Sequence, residues 1–321
     1  MSDLPRWWVR PIGLGSCGPC GVPVRGHAGD VTAVRARRLI AGIIVGALVL
    51  AGSGCDGGPP RAACPDQGCG LAETRMLSYS DPESVLRTME RLAPEQGGSW
   101  PVVVVAHGGY QKRSAVHDWA TGIAARGAMT YNVDWPAGAF GNQESAESLA
   151  CAVRVAVHDA AEHGGDTSRV VFVGHSLGAS VGAAVALGGS EVSPDCAVRD
   201  GEALPDAFVG YEGPYDVATV DYENGRVPRD PPGDDSADPY VHIGGNPSLV
   251  VRLLHGDAED TAWYDTPMSA SEQFLQALDD AGYDAELIVV EGGEHDPDKI
   301  VEGTPAQQAI VAQVTELLGT L

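Results

Sequence analysis

The chain has 321 residues and a formal net charge of −24, with 44 Asp and Glu against 20 Lys and Arg. Six of the basic and two of the acidic residues fall in the first 54 positions, so the other 267 residues hold 14 basic and 42 acidic side chains, a net charge of −28. Such a surface repels phosphate backbones and excludes nucleic acid as a partner. Its plain use is solubility, and the remaining length suits one large α/β domain with a sizeable core.

The first 54 residues read as an export signal. Arg35, Arg37 and Arg38 precede an uncharged apolar run, Leu39 to Ala51, and Gly52-Ser53-Gly54 leads into Cys55. That is a charged region, an apolar region and a small-residue cleavage site. The run is short for a membrane span, which needs about 20 residues, although an uncut N-terminal anchor helix is the alternative. Ala51-Gly-Ser-Gly-Cys55 resembles a bacterial lipoprotein box, in which the cysteine is diacylated and becomes the new N-terminus. Gly52 departs from that pattern, where Leu is usual. Residues before Val31 lack periodicity and fit an export signal poorly, which points to a start near Val31 or Val34. Cys17-Gly-Pro-Cys20 and Gly13-x-Gly15-x-x-Gly18 mimic redox and dinucleotide motifs, but neither follows a strand or opens a helix. The expected organisation is a leader over 1–54, a Gly- and Pro-rich tether over 55–73 and a folded domain over 74–321. The expected location is outside the cell membrane, anchored through lipid on Cys55 or released.

Four cysteines remain after Cys55: Cys64, Cys69, Cys151 and Cys196. An even number in an exported chain permits two disulfides, and the expected pairs are Cys64–Cys69 and Cys151–Cys196. Two buried thiols at Cys151 and Cys196 are the alternative.

Apolar runs then alternate with helical spacing. Pro101–Ala106, Met129–Trp135, Val170–Val173, Ala207–Tyr211, Leu249–Leu254 and Leu287–Val290 are continuous apolar strands, as in a parallel sheet covered on both faces. Between them Ser114–Arg126, Glu144–His163 and Ser269–Ala281 have helical periodicity, with Gly127 and Gly282 as stops. The pattern predicts a doubly wound α/β fold with a mostly parallel sheet. Gly213 to Gly245 is a Pro- and Asp-rich insertion between Ala207–Tyr211 and Leu249–Leu254, the sixth and seventh strands of the full expected fold, placed to act as a lid or pocket wall. Its acidic stretch Asp230–Asp238 reads as a solvated loop, since no ligand-like spacing marks a cation site.

Gly174-His-Ser176-Leu-Gly178 follows the strand Val170–Val173 and opens a small-residue helix. A sharp strand-to-helix turn needs glycines beside the serine, and it exposes the hydroxyl near a helix N-terminus. Serine needs a base, and His295 lies just after the last strand, where a loop can return it to the turn. His107, His175, His242 and His255 compete, but each adjoins a strand end or motif with another use. His107-Gly108-Gly109-Tyr110 follows the most hydrophobic strand. Backbone N–H groups of Gly109 and Tyr110, with that of Leu177, are candidate donors to an oxyanion.

On these motifs the chain resembles the α/β-hydrolase superfamily, in particular its small-esterase branch of carboxylesterase, feruloyl-esterase-like and dienelactone-hydrolase-like proteins. Trp100 to Gly109, Gly164 to Ala179 and Leu253 to Thr261 carry the likeness, which runs from about Met76 to Leu321. It implies ester cleavage through an acyl-enzyme, no metal or organic cofactor, a small-molecule ester as partner, and an acid in the loop after the seventh strand. The register Gly-x-x-Asp, counted from Gly256, falls on Glu259, with Asp260 the alternate acid. Tyr110 stands where many relatives have a third glycine. Amide or peptide cleavage, and a non-catalytic binding protein on a hydrolase scaffold, are the competing readings.

Overall fold

Val102 to Val105, four β-branched residues with both faces covered, form the centre of an eight-stranded sheet. The computed structural model describes residues 69–321 apart from 73, 96–97, 138–141, 190, 202, 217–234, 259–265 and 297–298. The leader, Cys17, Cys20, Cys55, Cys64 and most of the tether therefore lie outside the described residues. So do Glu259, Asp260 and the first half of the acidic stretch 230–238.

The strands are β1 (Arg75–Ser78), β2 (Thr88–Leu92), β3 (Trp100–Ala106), β4 (Met129–Asp134), β5 (Gly165–His175), β6 (Ala207–Tyr211), β7 (Val250–Gly256) and β8 (Asp284–Val290). Their order is β1-β2-β4-β3-β5-β6-β7-β8. Pairings of β1 with β2 and β2 with β4 are antiparallel, and the others are parallel. Three helices, α2 (Gln143–Glu162), α3 (Leu177–Ala186) and α4 (Met268–Ala281), cover the face bearing Val102, Val104 and Phe172. Two more, α1 (His117–Ala124) and α5 (Pro305–Thr320), cover the face bearing Val103, Val105 and Val171. This is the doubly wound, mostly parallel sheet that the periodicity predicts.

Local signals set the ends. Asn142 caps α2 by accepting from Ser145 N, and Thr304 with Pro305 at the first position opens α5. Gly282 ends α4 with φ 87°, a left-handed turn that a β-carbon would strain. The antiparallel pair β1–β2 and helix α5 are not among the elements expected from sequence, and β5 begins five residues before the expected run at Val170. Residues 165–169 are polar or small and partly exposed, so they lack the apolar signature of the buried half. The insertion does separate β6 from β7. Its described part includes a 3₁₀ turn, Pro239–His242, and Asp238, which is buried rather than solvated and caps that turn at Tyr240 N, 3.0 Å away.

Cys151, on α2, is bonded to Cys196, with their Cα atoms 5.7 Å apart. Cys69 is also disulfide-bonded, and Cys64, its expected partner, lies outside the described residues. The 151–196 bond spans 45 residues, so opening it releases a long loop in the unfolded chain. The double variant Cys151→Ser, Cys196→Ser should lose about 2–4 kcal/mol of stability, read as a lower urea midpoint with the oxidised protein as reference. An unchanged midpoint would show that the bond carries no stability. Among the described residues, no helix is long and apolar enough to cross a membrane.

Candidate active site

β5 delivers its last residue, His175, and α3 starts at Leu177, so the whole change of direction falls on Ser176. Its backbone is left-handed, φ 52° and ψ −122°, a conformation costly for any residue with a β-carbon. Hydrogen bonds hold it there: Ser176 N donates to Tyr211 O at 2.9 Å, and Ala179 N and Ser180 N donate to Ser176 O at 2.9 and 3.1 Å. The flanking glycines are forced by close approach. A β-carbon on Gly174 would lie 2.4 Å from Gly178 O, and one on Gly178 would lie 2.3 Å from His107 O. Ser176 itself is half-buried, so its hydroxyl is within reach of solvent.

The loop after β8 returns His295 to this turn. Its Nε2 lies 3.0 Å from Ser176 Oγ and its Nδ1 lies 2.6 Å from Glu212 Oε2. A carboxylate only accepts, so Nδ1 carries the proton and Nε2 is left to accept from the serine. Two consecutive carbonyls of the loop are held: Tyr211 Oη donates to Glu294 O at 3.0 Å, and His175 Nε2 lies 3.2 Å from His295 O. Further back, Gly292 N donates to Asp257 Oδ1 at 2.7 Å.

The carboxylate described on Nδ1 is therefore that of Glu212, while Glu259 and Asp260, the two acids expected in the loop after β7, lie outside the described residues. Sheet order supplies the reason. β6 lies next to β5, and Tyr211 is in register with His175, so residue 212 emerges one strand away from Ser176. The end of β7 is another strand spacing further, about 4.8 Å. Glu212 is 3% exposed with φ 49°. Its N–H donates to Leu254 O at 2.9 Å, and its Oε1 accepts from Gly256 N at 2.8 Å. Burial pushes its pKa up, but the hydrogen bond and charge of His295, the charge of His255 and the Gly256 N–H outweigh burial and hold it below the ordinary carboxylate value. Nothing in the sequence separates Glu212 from other acids except its place directly after an apolar strand and before Gly213.

The competing histidines have other surroundings. Burial holds His175 well below the ordinary imidazole value, with the charge of His295 in the same direction. His255 is likewise lowered by burial, and its Nδ1 lies 2.9 Å from the buried hydroxyl of Ser271. His242 Nε2 lies 2.9 Å from Ser236 O.

His107 donates from Nδ1 to Gly108 O at 2.8 Å while its own carbonyl accepts from Trp135 Nε1 at 3.1 Å. Gly108 sits against Ser176, since a β-carbon there would be 3.0 Å from Ser176 Cβ. Gly108 to Gln111 forms a tight turn, closed by Gln111 N on Gly108 O at 3.4 Å, with Tyr110 in the left-handed region at φ 56°. Tyr110 is 72% exposed, and its N–H, an expected oxyanion donor, is directed to Ala137 O at 3.4 Å. The amides of Gly109 and Leu177 have no protein acceptor among the described residues. Leu177 is the first residue of α3, where the N–H has no partner within the helix. No group of three or more His, Cys, Asp or Glu side chains is placed to hold a metal ion among the described residues.

This sheet order, with a serine on the turn after β5 and a histidine after β8, defines an α/β hydrolase. The family model described as "Alpha/beta hydrolase family" matches residues 102–320, and the chain belongs to that family. No curated protein matches it. Among solved structures it is similar to a truncated carbohydrate esterase from gut microbiota, 17% identical over 80% of this chain and all of that one, TM-score 0.58. It is also similar to the propionate-bound esterase Est2 of Thermogutta terrifontis, 20% identical over 80% of this chain and 96% of that one, TM-score 0.59. Carboxyl esterase 2 of the fungus Tuber melanosporum is 19% identical over 80% of this chain and 90% of that one, TM-score 0.60. At these identities the likeness establishes the fold.

Proposed function

We propose that the protein is a serine-dependent carboxylic ester hydrolase, with Ser176 as nucleophile, His295 as general base and acid, and Glu212 as the acid that orients it. The observation that carries this is the unbroken chain Ser176 Oγ, His295 Nε2, His295 Nδ1, Glu212 Oε2, with contacts of 3.0 and 2.6 Å. A serine hydroxyl is a weak nucleophile until a neighbouring base takes its proton. Here Ser176 attacks the ester carbonyl as His295 accepts that proton, and the buried Glu212 carboxylate stabilises the imidazolium formed. His295 then gives the proton to the leaving alkoxide. Water, activated by the same histidine, hydrolyses the acyl-enzyme and restores Ser176. The amides of Gly109 and Leu177 are the donors we assign to the oxyanion of each tetrahedral intermediate, replacing Tyr110 in the expected set.

Ester rather than amide substrates are favoured because the similar structures named above are called esterases. A fluorophosphonate probe should label the purified protein at one site, with tandem mass spectrometry placing the adduct on the peptide containing Ser176. An unlabelled protein, or an adduct elsewhere, would favour a binding role for the scaffold.

A further inference from the structure

The turn beside the nucleophile contains two consecutive glycines, Gly108 and Gly109, the residues with the freest backbone. An oxyanion donor is effective only when its direction is fixed before the charge develops. Something must therefore hold these peptides, and both polar groups of Gly108 are held by side chains. Its carbonyl accepts from His107 Nδ1 at 2.8 Å, and its N–H donates to Gln111 Oε1 at 3.0 Å.

A trans peptide is planar, with C=O and N–H on opposite sides. Fixing Gly108 O therefore points the Gly109 N–H the other way, and fixing Gly108 N sets the peptide before it. Gln111 is anchored in turn. The same Oε1 lies 3.2 Å from His175 Nδ1, and the other nitrogen of that ring lies 3.2 Å from His295 O. The His175 ring is fully buried, edge-on to Trp119 and 5.0 Å from the His295 ring between centroids. A neutral ring donates across one of its two contacts at a time, but it fills the space between Gln111 and the His295 backbone in either state.

We infer that Gln111 is a positioning residue, which through Gly108 N–H and the buried His175 ring locks the oxyanion loop in register with the loop carrying His295. The inference rests on the serine-hydrolase reading, and it explains a residue that the motif reading, ending at Tyr110, leaves without a role. Gln111 touches no reacting atom; it fixes the peptide before Gly108, and so the position from which the next peptide, oriented by His107 Nδ1, aims the Gly109 N–H at the transition state.

The test compares Gln111→Leu, which removes the acceptor, with Gln111→Glu, which keeps an oxygen at that position. Wild-type labelling by the fluorophosphonate probe is measured first, because an inert wild type means that the hydrolase reading itself has failed. With an active wild type, Gln111→Leu should lower kcat for a p-nitrophenyl ester by about 10- to 100-fold, below the 10²–10³ typical of deleting an oxyanion donor outright. KM should change by less than about twofold, and binding of phenylboronic acid, whose tetrahedral serine adduct uses the same donors, should weaken in parallel. Gln111→Glu should recover most of kcat. The inference is overturned by a Leu variant with wild-type kcat, by a loss confined to KM, or by a Glu variant as impaired as the Leu variant. Should Gln111→Leu fail to fold, the kcat and boronate affinity of Gln111→Glu decide alone, near-wild-type values supporting the role and a tenfold loss overturning it.

Discussion

Ser176→Ala is expected to lower kcat for a p-nitrophenyl acyl ester by about 10⁶-fold, the scale seen when a triad serine is removed. The thermal melt should barely move. Ser176 Oγ makes its described hydrogen bond to His295, and the main-chain bonds that hold the turn, to Tyr211 O and from Ala179 and Ser180, do not involve the hydroxyl. Alanine also keeps the β-carbon, so the left-handed backbone at φ 52° is no more strained than before. A residual rate of about 10³-fold over water should persist from the oxyanion donors and binding. An alanine variant that hydrolyses the ester at the wild-type rate would end the serine-hydrolase reading.

Glu212→Gln should cost about 10⁴-fold in kcat/KM with folding retained. The carboxylate now accepts twice, from Gly256 N at 2.8 Å and from His295 Nδ1 at 2.6 Å. The amide has one oxygen. If that oxygen stays on Gly256, the NH₂ faces Nδ1 and drives the imidazole proton to Nε2, where it blocks acceptance from Ser176. Glu259→Gln and Asp260→Asn, made separately, should each cost little. A large loss in either, with Glu212→Gln nearly silent, would return the role to the loop after β7. The pH dependence of stability offers a second readout. Because the folded-state pKa of Glu212 lies below its unfolded value, its contribution is full above the unfolded value and fades as pH falls through the folded one. The Gln variant should lack that part of the acid-side slope.

Much of the architecture is legible in the chain because buried parallel strands are nearly continuous runs of Val, Ile and Leu, while the helices between them keep a regular spacing. The edge is harder to read. β1 and β2, with sequences RMLS and TMERL, are partly exposed and mix charge with hydrophobicity, so neither period stands out. Ser176 and His295 are visible as motifs at strand ends, and the structure brings their side chains together. The acid we propose differs from the expected one because Glu212 comes near His295 through a long-range consequence of β6 lying beside β5 that no local window contains. Counting from Gly256 follows family habit, whereas Glu212 reaches the site through sheet order, one additional methylene and a left-handed backbone. The Tyr110 amide is likewise expected as a donor from its place beside two glycines. Its direction is set by Ala137, 27 residues away in sequence and on another loop.

The disulfide has a mechanical consequence. β1 is the outermost strand of the described sheet, paired with β2, where an outward pull could unzip it one hydrogen bond at a time. Just beyond β1, Ser80 bridges to Cys196, Asp81 N donates to Asp195 O and Ala197 N donates to Tyr79 O. Tyr79 is also fastened by its hydroxyl to Asp134 O and Ser148 Oγ. Since Cys196 is bonded to Cys151 on α2, tension entering from the N-terminal side is passed to a covalent link into a central helix. Fraying of the rim is thereby stopped at a covalent link before it reaches the strands that lead into Ser176 and Glu212.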